Sequence, residues 1–171
     1  MAEDPVRLLF VCLGNICRSP TAEGVMRSLI EREGLEDEIE TDSAGTGAWH
    51  IGSAPDPRAS AAAHSRGVAL AGTARLITPA DFERFDMILA MDGANERDLR
   101  LLATGEEHPE GHRREAKVRL LREFDPASAA GGELDVPDPY YGTPGGFDEV
   151  FELVSAACEG LLAEIRAGRE P

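Results

Sequence analysis

Residues 6–20 read VRLLFVCLGNICRSP, and the remainder of the chain is organised around this stretch. Its apolar first part, residues 6–11, predicts a short buried β-strand. Apolar residues then recur at three- and four-residue steps as far as Gly34, which predicts a helix that ends at that glycine. Ser19 is a favoured N-cap residue and Pro20 a favoured first helical residue, so we expect the helix to begin at Pro20. The residues in between therefore form a loop that leads onto a helix N-terminus.

This loop has the properties of an anion site, because the free N–H groups of a helix N-terminus point towards its mouth. Cys12 stands at the edge of the loop, and a cysteine is nucleophilic only as the thiolate. The N–H groups that bind a phosphate would also stabilise that thiolate. A helix dipole contributes only about 0.3–1 kcal/mol, so we expect several N–H groups, the Ser19 hydroxyl and the Arg18 charge to act with it.

The other loop residues suit a phosphate ligand. Arg18 carries a planar guanidinium, which makes two parallel hydrogen bonds to a phosphate and stays charged at any working pH. Gly14 permits close approach of the backbone, and Asn15 is among the few residues other than glycine that tolerate a positive φ. The stretch thus predicts a phosphate site with a sulfur nucleophile at its edge.

Strands alternate with helices along the chain, which predicts a parallel sheet covered on both faces. We therefore expect an α/β fold, a three-layer sandwich with a central four-stranded parallel twisted sheet and helices on both faces, in a single domain spanning residues 1–171. Ligands of such sheets bind at the carboxyl ends of the strands, where the Cys12 loop leaves the first strand. The other predicted elements are strands at 39–43, 87–91 and 118–121, helices that begin at Pro57 after the cap Asp56, at Thr78-Pro79, at the cap Asp92 and at Phe147, a polar loop at 104–115 and a long irregular loop at 124–146.

The composition excludes several classes of function. The formal net charge of −15 in 171 residues argues against binding to nucleic acid or to anionic membrane surfaces. No stretch is long enough to span a bilayer, and the first residues suit a strand better than a signal peptide. Three cysteines do not make a disulfide framework, so we expect a cytoplasmic location. We also expect a monomer. Metal-ligand spacing is absent around the histidines, so we expect no metal, no cofactor, and surface positions for His50, His64, His108 and His112.

Residues 12–23 read CLGNICRSPTAE, which resembles the phosphate loop of the low-molecular-weight protein tyrosine phosphatases. A cysteine followed by five residues and an arginine is a moderately specific signal by itself. The resemblance continues, in the family's order, as far as DPYYG at residues 138–142, and the two motifs together are a strong signal. Further matches lie at DSAGT in residues 42–46, at Trp49, at PDPRA in residues 55–59 and at Met91-Asp92.

The resemblance implies a hydrolase that acts on phosphotyrosine in proteins and on small aryl phosphates through a phosphocysteine intermediate. Cys12 would be the nucleophile and Arg18 would hold the phosphate or another oxyanion. Asp138 would be the general acid, and Pro139 favours an extended backbone at that aspartate. The resemblance implies no metal, because the loop itself supplies the positive charge.

Trp49, Tyr140 and Tyr141 lie outside the predicted helices and strands, and exposed aromatic side chains on loops suggest a binding wall. The resemblance places these three side chains beside the phosphate loop, on both sides of a flat aryl ring. Asn15 and Ser43 are expected to share a hydrogen-bond network that supports the loop. The residues expected to bind substrate are Leu13, Gly14, Asn15, Ile16, Cys17, Ser19, Trp49, Tyr140 and Tyr141.

Several assignments stay open at this stage. Cys17 is either a packing residue or, as the resemblance implies, the partner of Cys12 in a reversible disulfide. Cys158 lies on the apolar stripe of the last helix and is expected in the core. Arg58 and Asp92 match the family and are expected to be structural. Many relatives read H-x-A-R where this chain reads GTAR at residues 72–75, so the chain departs from the family in the network around the loop.

Three other functions use a similar loop. Arsenate reductases of the thioredoxin-coupled type carry a further cysteine pair, which this chain lacks. Protein-arginine phosphatases tend to carry threonine where Ile16 stands. A phosphate-binding module without turnover would lack the nucleophile or the acid, whereas Cys12 and Asp138 are both present. Ile16 and the pair Tyr140 and Tyr141 favour phosphotyrosine as the substrate.

Overall fold

The structure, a computed structural model, describes residues 3–104, 116–143 and 145–169. Within these ranges four strands form one parallel sheet in the order β2-β1-β3-β4. The predicted four-stranded parallel sheet is therefore confirmed, and the strand that leads to the Cys12 loop lies inside it. The strands are β1 (Val6–Cys12), β2 (Ile39–Gly45), β3 (Met87–Ala90) and β4 (Lys117–Leu120).

Helices connect the strands and cover the sheet. In the part of the chain that the structure describes, they are α1 (Arg18–Arg32), α2 (Pro57–His64), α3 (Asp81–Arg84), α4 (Gly93–Ala103), a 3₁₀-helix (Leu121–Phe124), α5 (Pro126–Gly131) and α6 (Gly145–Arg169). None of these helices combines the length and the apolar character that crossing a membrane requires.

The two faces of β1 contribute to separate hydrophobic cores, because successive side chains of a strand point to opposite sides. Leu8 and Phe10 pack with the apolar sides of α1 and α6. Leu9 and Val11 pack with residues of α3 and α4, among them Leu99. All five side chains are fully buried. The structure therefore confirms helices on both faces of the sheet.

The start of α1 differs from the prediction, and the assignment of Ser19 as its N-cap is wrong. The helix begins at Arg18, two residues before the expected Pro20, and its N-cap Cys17 makes no side-chain hydrogen bond to the helix. The Ser19 hydroxyl instead lies 3.0 Å from Cys12 Sγ. The side chain that local preference assigned to the helix terminus thus contacts the end of β1 instead.

Two other predicted caps are confirmed. The Asp56 carboxylate accepts the N–H of Arg58 at 2.8 Å, and Pro57 is the first residue of α2. The Asp92 carboxylate accepts the N–H of Asn95 at 2.8 Å at the start of α4. An aspartate that precedes a helix satisfies N–H groups that otherwise have no partner, so these signals are local and readable from the sequence.

The boundaries of α3 and β2 also differ from the prediction. α3 begins at Asp81 rather than directly after Thr78-Pro79, because the Asp81 carboxylate accepts the N–H of Thr78 and closes a turn before the helix. β2 ends at Gly45 rather than at residue 43, because its last residues continue to pair with β1.

Residues 124–146 were expected to be irregular, but they contain α5. Its N-cap Asp125 accepts the N–H of Ala127, and Pro126 is its first residue. The helix reads PASAAG and therefore has no apolar periodicity from which it could be predicted. The polar loop expected at 104–115 lies outside the described residues, apart from Thr104.

Gly160 lets α6 approach the 3₁₀-helix closely, because a Cβ at this position would overlap the Phe124 carbonyl oxygen. Gly160→Ala should therefore lower the free energy of unfolding by about 1–3 kcal/mol, measured by urea denaturation. Gly168→Ala in the same helix is the control, since a Cβ there meets no atom within 4 Å. The control should be neutral or stabilising, and equal stabilities of the two variants would contradict this packing.

Candidate active site

A cavity of about 400 Å³ opens where β1 ends in Cys12, and this residue lines it although only 3% of the residue is exposed. The structure thus brings the predicted nucleophile, arginine and acid to one cavity together with the predicted aromatic residues. Asn15 and Ser19 are buried and do not line it. The lining residues are Cys12, Leu13, Gly14, Ile16, Cys17, Arg18, Trp49, His50, Asp138, Tyr140 and Tyr141.

A chain of hydrogen bonds leads to the sulfur. Asn15 has a φ of 57°, as the sequence predicted, and its Oδ1 accepts the N–H of Arg75 at 3.0 Å. Its Nδ2 donates to Ser19 Oγ at 2.8 Å. The Ser19 hydroxyl proton therefore remains available to Cys12 Sγ, 3.0 Å away, and the hydroxyl is the donor when the sulfur is a thiolate.

Arg18 is buried and is oriented by two acceptors. Its Nη1 donates to Asp92 Oδ2 at 2.6 Å and to the carbonyl oxygen of Val136 at 3.0 Å. Its Nη2 lies 3.5 Å from Asp138 Oδ2. Burial works against the charged guanidinium, but Cys12 and Asp92 outweigh that effect and raise the pKa of Arg18. The guanidinium is thus fixed as a permanent cation beside the sulfur.

Asp92 was expected to be structural, and its contacts join a helix cap to the predicted phosphate-binding arginine. One carboxylate oxygen caps α4 through Asn95, and the other holds Arg18. The signal that could have found it is topological, since Met91-Asp92 follows β3 and parallel strands end at one edge of the sheet. The adjacency of β3 and β1, however, is a property of the tertiary structure.

Asp138 lies at the mouth of the cavity, where 46% of its side chain is exposed. One oxygen accepts the N–H of Tyr140 at 3.1 Å, and the other is the one that faces Arg18. The carboxylate is therefore open to a bound molecule while its own segment orients it. This is the placement that a group delivering a proton to a leaving group requires.

Aromatic side chains form the outer walls of the cavity. The rings of Tyr140 and Tyr141 lie edge to face with centroids 4.8 Å apart. Trp49 and Tyr141 are 74% and 94% exposed, so apolar surface faces water at the cavity mouth. The guanidinium carbon of Arg58 lies 5.4 Å from the centroid of Tyr140, and this cation–π contact helps to hold the ring in place.

His50 was expected to be an ordinary surface histidine, but it lines the cavity. Its ring centroid lies 5.8 Å from that of Tyr140. A Cβ at Gly14 would come within 2.9 Å of its Cδ2, so the glycine makes room for the imidazole across the loop. Its position directly after Trp49 in the sequence is the signal that could have predicted this placement.

Ser43 and Asn15 bond to different partners. Ser43 Oγ donates to Glu23 Oε1 at 2.7 Å, and burial raises the pKa of Glu23. Asn15 and Ser43 border a second cavity of about 130 Å³, which Gly72 also lines. In the described ranges, neither this cavity nor any other place groups three His, Cys, Asp or Glu side chains in a way that suits a metal ion.

The three cysteines are free thiols, and two of them are poor nucleophiles. Burial, followed by the charge of Asp56, raises the pKa of Cys17 to about 12. Burial also raises the pKa of Cys158, which is fully buried as predicted. The disulfide between Cys12 and Cys17 stays a prediction.

The backbone at Asn15 leads to a stability prediction. Asn15→Ala and Asn15→Gly both lose the hydrogen bonds to Ser19 and Arg75, but only alanine is strained by the positive φ. Asn15→Ala should therefore be less stable than Asn15→Gly by roughly 1–2 kcal/mol in urea unfolding. A glycine variant as unstable as the alanine variant would refute this role of the backbone.

The thiols lead to a labelling prediction. At pH 7.5 roughly 10⁻⁴ or less of Cys17 is ionised, since its pKa is about 12, and Cys158 is inaccessible. Iodoacetamide should therefore attach to one thiol of the native protein, Cys12, as shown by intact mass and peptide mapping. Cys12→Ser should take up no label, and two labels on the native protein would contradict the prediction.

Comparison with known proteins agrees with this geometry. Residues 7–170 match the sequence profile of a family described as Low molecular weight phosphotyrosine protein phosphatase. A Streptomyces coelicolor protein named Low molecular weight protein-tyrosine-phosphatase is 51% identical over 160 residues, which are 94% of this chain and 93% of that protein.

Two solved structures are similar over nearly their whole length. YfkJ from Bacillus subtilis has a TM-score of 0.85 at 39% identity, covering 98% of this chain and 99% of its own. The Drosophila arginine phosphatase DARP has a TM-score of 0.83 at 31% identity, covering 93% of this chain and 97% of its own. The profile match and the 51% identity lead to one conclusion: this chain belongs to the low molecular weight phosphotyrosine protein phosphatase family.

Proposed function

We propose that this protein is a hydrolase that removes the phosphate from phosphotyrosine in proteins, and from small aryl phosphates, through a phosphocysteine intermediate. One observation carries the proposal. The Cys12 sulfur, the Arg18 guanidinium and the Asp138 carboxyl group border one cavity whose outer walls are aromatic. A nucleophile, a phosphate-binding cation and a proton donor are the groups needed to move a phosphoryl group from a phenol to water.

The first step transfers the phosphoryl group to sulfur. The Cys12 thiolate attacks phosphorus in line, a P–S bond forms, and the P–O bond to the phenol breaks. Arg18 and the loop N–H groups hold the equatorial oxygens, over which the transition state spreads its charge. Asp138 gives its proton to the departing phenolate oxygen, so the phenol leaves neutral and Asp138 becomes a carboxylate.

The second step releases phosphate. A water molecule takes the place of the phenol at the cavity mouth, and the Asp138 carboxylate removes its proton as the water oxygen attacks phosphorus. The P–S bond breaks and the electron pair returns to Cys12, where the Ser19 hydroxyl 3.0 Å away donates a hydrogen bond to the thiolate. Asp138 is protonated again, so both groups are ready for the next cycle.

The walls support tyrosine as the preferred residue. Tyr140, Tyr141 and Trp49 offer flat apolar surface to an aryl ring. Cys12 is buried below them, so a phosphate on a short serine side chain would not reach the sulfur. Phosphotyrosine-containing proteins are thus the proposed substrates, and a reducing cytoplasm is the proposed compartment because the reaction needs a free Cys12 thiol.

Cys12→Ser should abolish hydrolysis of p-nitrophenyl phosphate, because the serine hydroxyl is a far weaker nucleophile than a thiolate.

Asp138→Asn should lower kcat on a phosphotyrosine peptide by roughly 10²–10⁴-fold, because the amide has no proton to give. For both variants the rate of phosphate release is measured. A chelator is present because the proposed reaction needs no metal ion, since the loop supplies the positive charge.

Matched controls are available for this test. Cys158→Ala removes a thiol that lies in the core, and Asp148→Asn removes an exposed carboxylate on α6. Both controls should keep the rate of the parent protein. Retained turnover in Cys12→Ser would refute the mechanism. Faster hydrolysis of phosphoarginine than of phosphotyrosine would replace the substrate by that of the arginine phosphatases.

A further inference from the structure

The geometry points to Arg122 as a positioning residue for the general acid, and we propose that it holds residues 135–138 in the place from which Asp138 reaches the leaving group. The proposal rests on the proposed function, in which Asp138 is that acid. Arg122 does not line the cavity, so it acts through the segment rather than on the substrate.

Arg122 is buried on the 3₁₀-helix that follows β4. Its Nη1 donates to the carbonyl oxygen of Asp135 at 2.5 Å, and its Nε donates to Ser128 Oγ at 3.2 Å. The Ser128 hydroxyl in turn donates to Asp125 Oδ2 at 2.7 Å. One guanidinium thus connects the 3₁₀-helix, α5 and the start of the acid segment.

The partners of Arg122 distinguish it from the surface arginines. Within the described ranges, its hydrogen bonds go to two neutral oxygens, and the nearest carboxylate in that chain is one hydroxyl away. Burying a guanidinium is costly unless its donors are satisfied. An apolar residue could fill the same space, so the specific property of Arg122 is its charge-assisted hydrogen bond to the backbone of the acid segment.

The segment that Arg122 holds is short, and its other anchors come from α1, from the residue just after β3 and from the start of α4. Val136 donates its N–H to Met91 O at 2.7 Å and accepts from Arg18 at 3.0 Å. The Asp135 carboxylate accepts the N–H of Gly93 at 3.0 Å. Arg122 completes this set from the side of the 3₁₀-helix and α5.

Asp138 depends on these anchors because its own side chain is weakly held. Its contact with Arg18 is 3.5 Å long, and its other hydrogen bond is to the N–H of Tyr140 in the same segment. Pro137 and Pro139 fix the backbone φ on both sides, so a displacement at residue 135 is transmitted to Asp138 rather than absorbed. Loss of the Arg122 anchor would therefore displace the acid more than Arg18, which Asp92 still holds at 2.6 Å.

The test uses two leaving groups. Phenol is a poor leaving group with a pKa of about 10 and needs the acid, whereas p-nitrophenol is more acidic and needs it less. The readout is kcat/KM, which reports the steps up to release of the phenol and leaves out hydrolysis of the phosphocysteine, where Asp138 acts on every substrate alike. Arg122→Met should lower kcat/KM for phenyl phosphate by about 10–100-fold and change kcat/KM for p-nitrophenyl phosphate by less than about 3-fold. Arg122→Lys should lose less, because an ammonium can keep the hydrogen bond to Asp135.

Arg119→Met is the matched control. Arg119 lies on β4, pairs with Glu123 at 2.7 Å and stacks on Phe124, so its loss costs a neighbouring ion pair without touching residues 135–138. It should leave the ratio of the two kcat/KM values unchanged. If Arg122→Met shows no cooperative unfolding transition, Arg122→Gln, which is shorter and carries no charge, serves as the test variant by the same ratio.

A double variant separates positioning from general destabilisation. Because Arg122 acts through Asp138, adding Arg122→Met to Asp138→Asn should cause no further loss of kcat/KM on phenyl phosphate. If Asp138→Asn is itself selective for phenyl phosphate, two results would overturn the positioning role and leave the proposed function intact. These are equal losses of kcat/KM on both substrates in Arg122→Met, and a full additional loss in the double variant. A non-selective Asp138→Asn would overturn the acid assignment of the proposed function, and the role of Arg122 with it.

Discussion

The hydrogen bond between the Ser19 hydroxyl and Cys12 Sγ, 3.0 Å long, is the contact on which the rest of the site depends. A buried thiolate is stable only where donors surround it. The donor here is positioned by two further hydrogen bonds, because the Arg75 N–H orients the Asn15 amide and the Asn15 amide donates to Ser19 Oγ. All of this requires the turn that a φ of 57° at Asn15 creates, so one left-handed backbone position connects the shape of the loop with the state of the sulfur.

Arg18 connects the proposed nucleophile with the segment of the proposed acid. It is held by Asp92 just after β3 and by the Val136 carbonyl just before Asp138. These contacts are possible because β3 lies directly beside β1 in the sheet order β2-β1-β3-β4. The carboxyl ends of two adjacent parallel strands therefore bring together the Cys12 sulfur, the Arg18 guanidinium and the segment that carries Asp138.

The surface around this centre has two contrasting properties. The formal net charge of −15 repels anions, so under the proposed function the affinity for a phosphate comes from the buried Arg18 and the loop N–H groups. The rim, in contrast, exposes the large apolar groups of Trp49 and Tyr141. Exposed aromatic surface beside the cavity suits a ring that enters from another protein, so the proposed recognition depends on the aryl group rather than on long-range charge.

Local signals in the sequence determined β1 and the caps at Asp56 and Asp92, because each depends on residues close together in the chain. The alternation of strands and helices along the chain determined that the four strands form a parallel sheet. The motif at residues 12–23 named Cys12 and Arg18, which the structure brings together at the cavity with the proposed acid. Only the tertiary structure decided the start of α1, where a contact with the strand end overrode the preference of Ser19 for a cap. It alone also decided the cavity position of His50 and the contacts of Asp92 and Arg122. These depend on which strand ends and loops become neighbours in space, and hydrophobic periodicity along the chain does not carry that information.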